Sequence, residues 1–141
     1  MVHRDLKPDN VLIEIEQNED GSEEITCKLT DFGMAFEISQ TVENTEQAGT
    51  PRFMAPEVIK GKLQTTARDI WSLGVMTFIM LANSPPFKGK NRELIFESIK
   101  NRPLDFNRKG VKESLAALHD AGELAKDLHS MCIAQEPHYS P

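Results

Sequence analysis

Cysteine, tryptophan and tyrosine are scarce in this sequence, and a long apolar run is missing. The two cysteines, Cys27 and Cys132, lie far apart and form no CxxC pair. A zinc site needs more ligands than that, and a disulfide scaffold needs a denser set. Both thiols are therefore expected to be buried and reduced, as in a cytoplasmic protein. The longest apolar stretch, Ile70 to Leu81, falls well short of the roughly 20 residues that span a bilayer. No signal peptide is visible, because Met1-Val2 runs straight into His3-Arg4-Asp5. An excess of positive charge is also lacking: 16 Lys and Arg against 22 Asp and Glu leave a net charge of -6. Nucleic acids and anionic membranes reward basic surfaces, so neither is expected as the main partner.

What is present suffices for one domain. The chain has 141 residues, 39% hydrophobic and 27% charged, with no internal repeat and no linker that would divide residues 1–141. The first ten residues are polar and suggest a loop. Val11–Ile15 and Ile25–Leu29 are β-branched runs on either side of a polar tract containing Asp20-Gly21, the pattern of a β-hairpin. The loop of that hairpin lacks the alternating oxygen ligands of a calcium site. Residues 31–57 carry little periodicity, and a loop of that length in a compact domain is usually functional. Pro56-Glu57 opens a short helix. The stretch 69–81 has apolar residues on all sides and is expected as a helix buried on every face, ended by Asn83-Ser84-Pro85-Pro86. Asn91 is positioned to cap an amphipathic helix reaching Lys100, and the pattern repeats over residues 122–135.

Three oxygen-bearing side chains stand at loop and strand-end positions: Asp5, Asn10 and Asp31. Lys7 lies between the first two, and Asp31 precedes Phe32-Gly33, where glycine permits a sharp turn. A hairpin brings its end back to its start, which places Asp31 near Asn10. Two hard oxygen donors beside a lysine are what a Mg²⁺-phosphate site requires. Taken singly, each of these residues reads more readily as solvated loop than as a site; together they are more persuasive, but spacing alone does not settle it.

Four stretches, in order, resemble successive motifs of protein kinases: HRDLKPDN at His3–Asn10, DFG at Asp31–Gly33, GTPRFMAPE at Gly49–Glu57 and DIWSLGV at Asp69–Val75. The likeness extends over essentially the whole chain. It implies a serine/threonine protein kinase that uses ATP and Mg²⁺ and acts on proteins. It also implies a partial kinase C-terminal lobe, mainly α with a small β-hairpin. By the same resemblance, Asp5 orients the substrate hydroxyl and accepts its proton, and Lys7 neutralises charge on the transferred phosphoryl. Asn10 and Asp31 hold Mg²⁺. Leu12 floors the adenine pocket and Thr30 precedes the metal-binding aspartate. Thr50 hydrogen-bonds toward Asp5 and Lys7. His3 supports the loop, Phe32 packs into the spine joining the lobes, and Asp69 accepts backbone hydrogen bonds across the apolar helix. Glu57 would pair with an arginine near the end of the domain. No clear match to that arginine precedes Pro141, so Glu57 is expected to lack it.

Arg4, directly before Asp5, is typical of kinases whose activation segment is held by an anion, often a phosphothreonine three residues before the glycine of the GT motif. Glu46 occupies that position, either as a permanent anion for Arg4 or as one more exposed acid. Ser39, Thr41 and Thr45 are alternative phosphosites. The stretches 85–91, 103–106 and 125–128 resemble those of calcium/calmodulin-dependent and calcium-dependent kinases. Asp9 and the acidic balance suggest substrates with basic residues near the target hydroxyl. Because the likeness starts at the HRD loop, the upstream glycine-rich loop, strand lysine and helix glutamate have no counterpart here. The chain is expected to lack the N-lobe, to be inactive alone and to expose apolar surface on the 70–81 helix. The alternative is a non-catalytic fragment that binds and modulates a kinase.

Overall fold

The computed structural model describes residues 1–37, 46–62, 65–102, 105 and 109–117. Ser39, Thr41, Thr45, Cys132, most of the 103–106 stretch and the expected 122–135 helix with its 125–128 segment lie outside these.

The chain enters through Val2, which is buried and exchanges backbone hydrogen bonds with Phe36 in both directions, at 2.8 and 2.9 Å. A short 3-10 turn, Pro8–Asn10, leads into β1, Val11–Gln17, which pairs antiparallel with β2, Glu23–Leu29. Both strands run two residues further toward the turn than the apolar pattern suggests, because that end is locked locally. Asn18 and Ser22 close the loop backbone, Asp20 Oδ1 accepts from the Ser22 amide and hydroxyl, and Gly21 supplies φ 81. Register places Ile13 opposite Cys27 and Ile15 opposite Ile25. Nothing among the described residues covers that face, and Cys27 is exposed rather than buried. Alternation marks which residues share a face, but it does not say whether the face is packed.

Beyond a second 3-10 turn at Phe32–Met34 and a third at Pro51–Phe53, the described residues form four helices: α1 Pro56–Ile59, α2 Ala67–Ala82, α3 Arg92–Asn101 and α4 Lys109–Ala117. Pro56 at the first position and Asn91, whose side chain accepts from Leu94 N, start α1 and α3 as their residue types dictate. Asn83, in the left-handed region at φ 46, ends α2. The sequence pattern did not point to α4, whose second residue is Gly110, a poor helix former.

The core is assembled from Met54, Ala55, Val58 and Ile59 below, Trp71, Val75 and Phe78 on α2, and Phe87, Ile95, Ile99 and Val111 around them. Trp71 stacks on Phe87 with centroids 5.8 Å apart. Full burial of side chains such as Val58, Phe78 and Phe87 contributes about 1.5–3 kcal/mol each. The α2 helix is not buried on every face. Trp71, Val75 and Phe78 face the core at helical spacing, while Leu73 and Met80 (69% exposed) lie on the opposite side, which no described element covers. Among the described residues no helix is long and apolar enough to cross a membrane.

Candidate active site

The loop carrying Asp5 is fastened from α2. Asp69, in the first turn of that helix, accepts from the backbone N–H of His3 at 2.7 Å and of Arg4 at 3.1 Å. His3 is buried, with Nε2 2.9 Å from the Thr30 carbonyl and its ring 4.9 Å from that of Phe32. Held in this way, Arg4 adopts φ 71, a conformation that costs a non-glycine residue energy and persists only where its surroundings impose it.

The Asp5 side chain is enclosed and both its oxygens are engaged. Oδ1 accepts from the Thr50 amide at 2.8 Å and from the Thr50 hydroxyl at 2.6 Å. Oδ2 accepts from Lys7 Nζ at 2.7 Å and from Asn10 Nδ2 at 3.4 Å. Lys7 Nζ also donates to Thr50 Oγ1 at 3.2 Å, closing a triangle. Burial alone raises the Asp5 carboxyl, but the hydrogen bonds from Lys7 and Thr50 and the charge of Lys7 together outweigh it. The group titrates below the ordinary carboxylate value and is ionised at neutral pH. The Lys7 ammonium is raised, chiefly by its bond to Asp5, with added attraction from Asp5, Asp9 and Asp31. The result is an anion aligned by donors that come from both ends of a 45-residue separation.

Asn10 is buried, and its amide nitrogen also donates to the Asp5 carbonyl at 2.9 Å. Thr30 N donates to the Asn10 carbonyl at 3.0 Å, so the hairpin brings Asp31 to within one residue of Asn10. Asp31 is exposed, in the left-handed region at φ 58, and accepts from Gly33 N at 3.3 Å as it caps the turn through Phe32. Among the described residues no group of three or more His, Cys, Asp or Glu side chains is placed to hold a metal ion. Leu12 (57% exposed) and Phe32 (52%) present apolar surface beside these polar groups.

Residues 46–57 approach the same loop. Arg4 Nη1 pairs with Glu46 at 3.1 Å, Arg4 Nε donates to the Met34 carbonyl, and the guanidinium lies 5.5 Å from the Phe36 ring centre. Gly49, at φ 114, touches the loop so closely that a methyl group in place of its hydrogen would lie 2.4 Å from the Arg4 carbonyl oxygen. Glu57, on α1, has its carboxyl raised by burial, with the fields of Arg68, Lys60 and Lys62 drawing it back down. Arg68 was not singled out in the sequence. It is 3% exposed and donates from Nη2 to the carbonyls of Ala48 at 2.6 Å and Arg4 at 3.2 Å. The available signal was an arginine beside Asp69 at the start of a mainly apolar helix, since buried charges need partners.

Residues 1–139 match the protein kinase domain. The chain is 43% identical over 108 residues to a probable myosin light chain kinase of Dictyostelium discoideum, covering 75% of this chain and 29% of that protein. It is 36% identical over 136 residues to the serine/threonine-protein kinase PEPKR2 of Arabidopsis thaliana, covering 96% and 26%. To a probable serine/threonine-protein kinase, also of Dictyostelium discoideum, it is 39% identical over 128 residues, covering 90% and 26%. The chain thus spans little more than a quarter of the length of these relatives. The loop and the segment through Thr50 meet at the Asp5 carboxylate, and the chain belongs to the protein kinase family.

Proposed function

We propose that the protein carrying this chain transfers the γ-phosphate of ATP to serine and threonine hydroxyls of protein substrates. In that reading the chain forms C-terminal-lobe structure around the acceptor side of the reaction. The observation that supports it most is the triangle of Asp5, Lys7 and Thr50. One carboxylate, kept ionised, is fixed in direction by a hydroxyl, an amide and an ammonium. Asp5 orients the incoming hydroxyl and takes its proton as the oxygen is phosphorylated. Lys7 holds positive charge beside the path of the transferred group, and Thr50 fixes the angle between the two.

Asn10 and Asp31 fit a magnesium ion. The Asn10 amide nitrogen is committed to Asp5, which leaves its carbonyl oxygen as a ligand atom, and Asp31 supplies an exposed carboxylate at the adjoining strand end. Two protein oxygens suit Mg²⁺, which usually draws its remaining ligands from phosphates and water. When bound, Mg-ATP supplies the phosphoryl group and neutralises its developing charge. In this reading Leu12 floors the adenine pocket and Thr30 directly precedes the metal-binding Asp31.

The Arg4–Glu46 pair supports a permanent carboxylate holding the activation segment without phosphorylation. The stretch 85–91 and Glu46 itself favour the calcium/calmodulin-dependent-like group. Asp9, exposed beside the catalytic loop, and the net charge of -6 favour substrates with basic residues near the target hydroxyl.

The test is ³²P transfer from Mg-ATP to matched basic peptides ending the choice between Ser, Thr and Tyr acceptors, with Asp5→Asn alongside. Ser and Thr peptides should be labelled and Tyr peptides not, and Asp5→Asn should lower the rate at least about 100-fold. Equal rates for the two proteins would refute the role of Asp5.

A further inference from the structure

Consecutive residues on the first turn of α2 grip opposite ends of one strained residue. Asp69 Oδ1 accepts from the Arg4 N–H at 3.1 Å, and Arg68 Nη2 donates to the Arg4 carbonyl at 3.2 Å. Between these two bonds Arg4 sits at φ 71. The same Arg68 nitrogen donates at 2.6 Å to the carbonyl of Ala48, two residues before the threonine that aligns Asp5. Gly49, between Ala48 and Thr50, lies directly on the Arg4 carbonyl and within reach of the Arg68 nitrogen, with 3.6 Å separating that nitrogen from the position a Cβ would take.

We propose that Arg68 is a positioning residue that fastens the activation segment to the catalytic loop and so sets the register in which Thr50 meets Asp5. The clamp rests on the kinase reading of this centre and deepens it. It differs from the Arg4–Glu46 pair in its surroundings and so in its strength. Glu46 is 70% exposed, so that ion pair is screened. Arg68 is enclosed, and both of its carbonyl acceptors are backbone groups whose positions do not depend on a rotamer or on phosphorylation. Desolvation lowers the guanidinium from its usual value and the like charge of Arg4 lowers it further, while Asp69, Glu57 and Asp5 hold it up. Charge-assisted bonds to carbonyls in a desolvated site are stronger than neutral ones. Other elements keep Asp5 in the protein, and Arg68 determines where Thr50 sits against it.

The experiment is backbone amide hydrogen exchange in the wild-type protein and in Arg68→Ala, with and without millimolar guanidinium. Phosphoryl transfer is measured on the same samples. The Thr50 amide, bonded to Asp5, should exchange about tenfold faster in Arg68→Ala, the size expected for release of a charge-assisted hydrogen bond. The Ile99 amide in α3 should not change, and guanidinium should restore both Thr50 protection and kcat, whereas ammonium should not. Unchanged Thr50 exchange with α3 still protected would overturn the proposal. If α3 is also exposed in Arg68→Ala, Arg68→Lys, which keeps the charge on a shorter stem, is judged by the same criterion. Selective loss at Thr50 supports the clamp, and equal or no loss overturns it. A wild-type protein that shows the exchange pattern without phosphoryl transfer would leave the clamp standing and remove the reaction assigned to it.

Discussion

The β1–β2 hairpin and the loop that carries Asp5 are neighbours in the chain but are held in opposite ways. The hairpin is self-contained: its ladder pairs residues 11–17 with 29–23, its turn is closed within residues 18–22, and its side chains are mostly exposed on both faces. The Asp5 loop has a short 3-10 turn and local bonds from Lys7 and Asn10, but these do not fix it alone. Its backbone is also fastened by Asp69 and one oxygen of its carboxylate by Thr50, partners 66 and 45 residues away. Local order can be built from strand propensity and a turn. A charged centre that must be both buried and aligned needs donors brought in from elsewhere, because an unpaired buried carboxylate is costly.

The largest expected break in this contrast is Gly49→Ala. The new methyl would meet the Arg4 carbonyl oxygen and the residue would be held at φ 114, so the activation segment must move away from the loop. Urea denaturation should show a loss of roughly 2 kcal/mol or more. Amide exchange should rise at Thr50 and Arg4 while the hairpin ladder stays protected. Uniform exchange across both regions would mean the two are not separately held.

A smaller effect is expected from Glu46→Ala. The exposed Arg4–Glu46 pair is worth within about 1 kcal/mol, so turnover should fall by no more than about fivefold. The difference should fade as salt is added. Equal turnover at low salt would mean that Glu46 is one more surface acid.

The two regions also differed in how far they were legible. The hairpin could be placed from β-branched runs and Asp20-Gly21, but the exposure of Cys27 could not, because strand alternation does not reveal whether a face is covered. The centre was legible at Asp5, Lys7, Asn10, Asp31, Thr50 and Asp69 only through their likeness to kinase motifs, since spacing alone favoured a solvated loop at each oxygen-bearing position. Helix α2 was recognisable from its apolar run, while its exposed Leu73 and Met80 depended on where α1, α3 and α4 pack. Arg68 escaped notice because its acceptors are backbone carbonyls at Arg4 and Ala48, and backbone groups leave no residue-type signature.

The most direct test of the central claim, that a distant hydroxyl aligns the catalytic carboxylate, is the steady-state turnover of Thr50→Val compared with Thr50→Ser. The account expects Thr50→Val to lose about 10- to 100-fold in kcat, the value of hydrogen bonds to a charged group. KM for the peptide should change little, and Thr50→Ser should keep most of its activity. A Thr50→Val protein that turns over like the wild type would contradict the account.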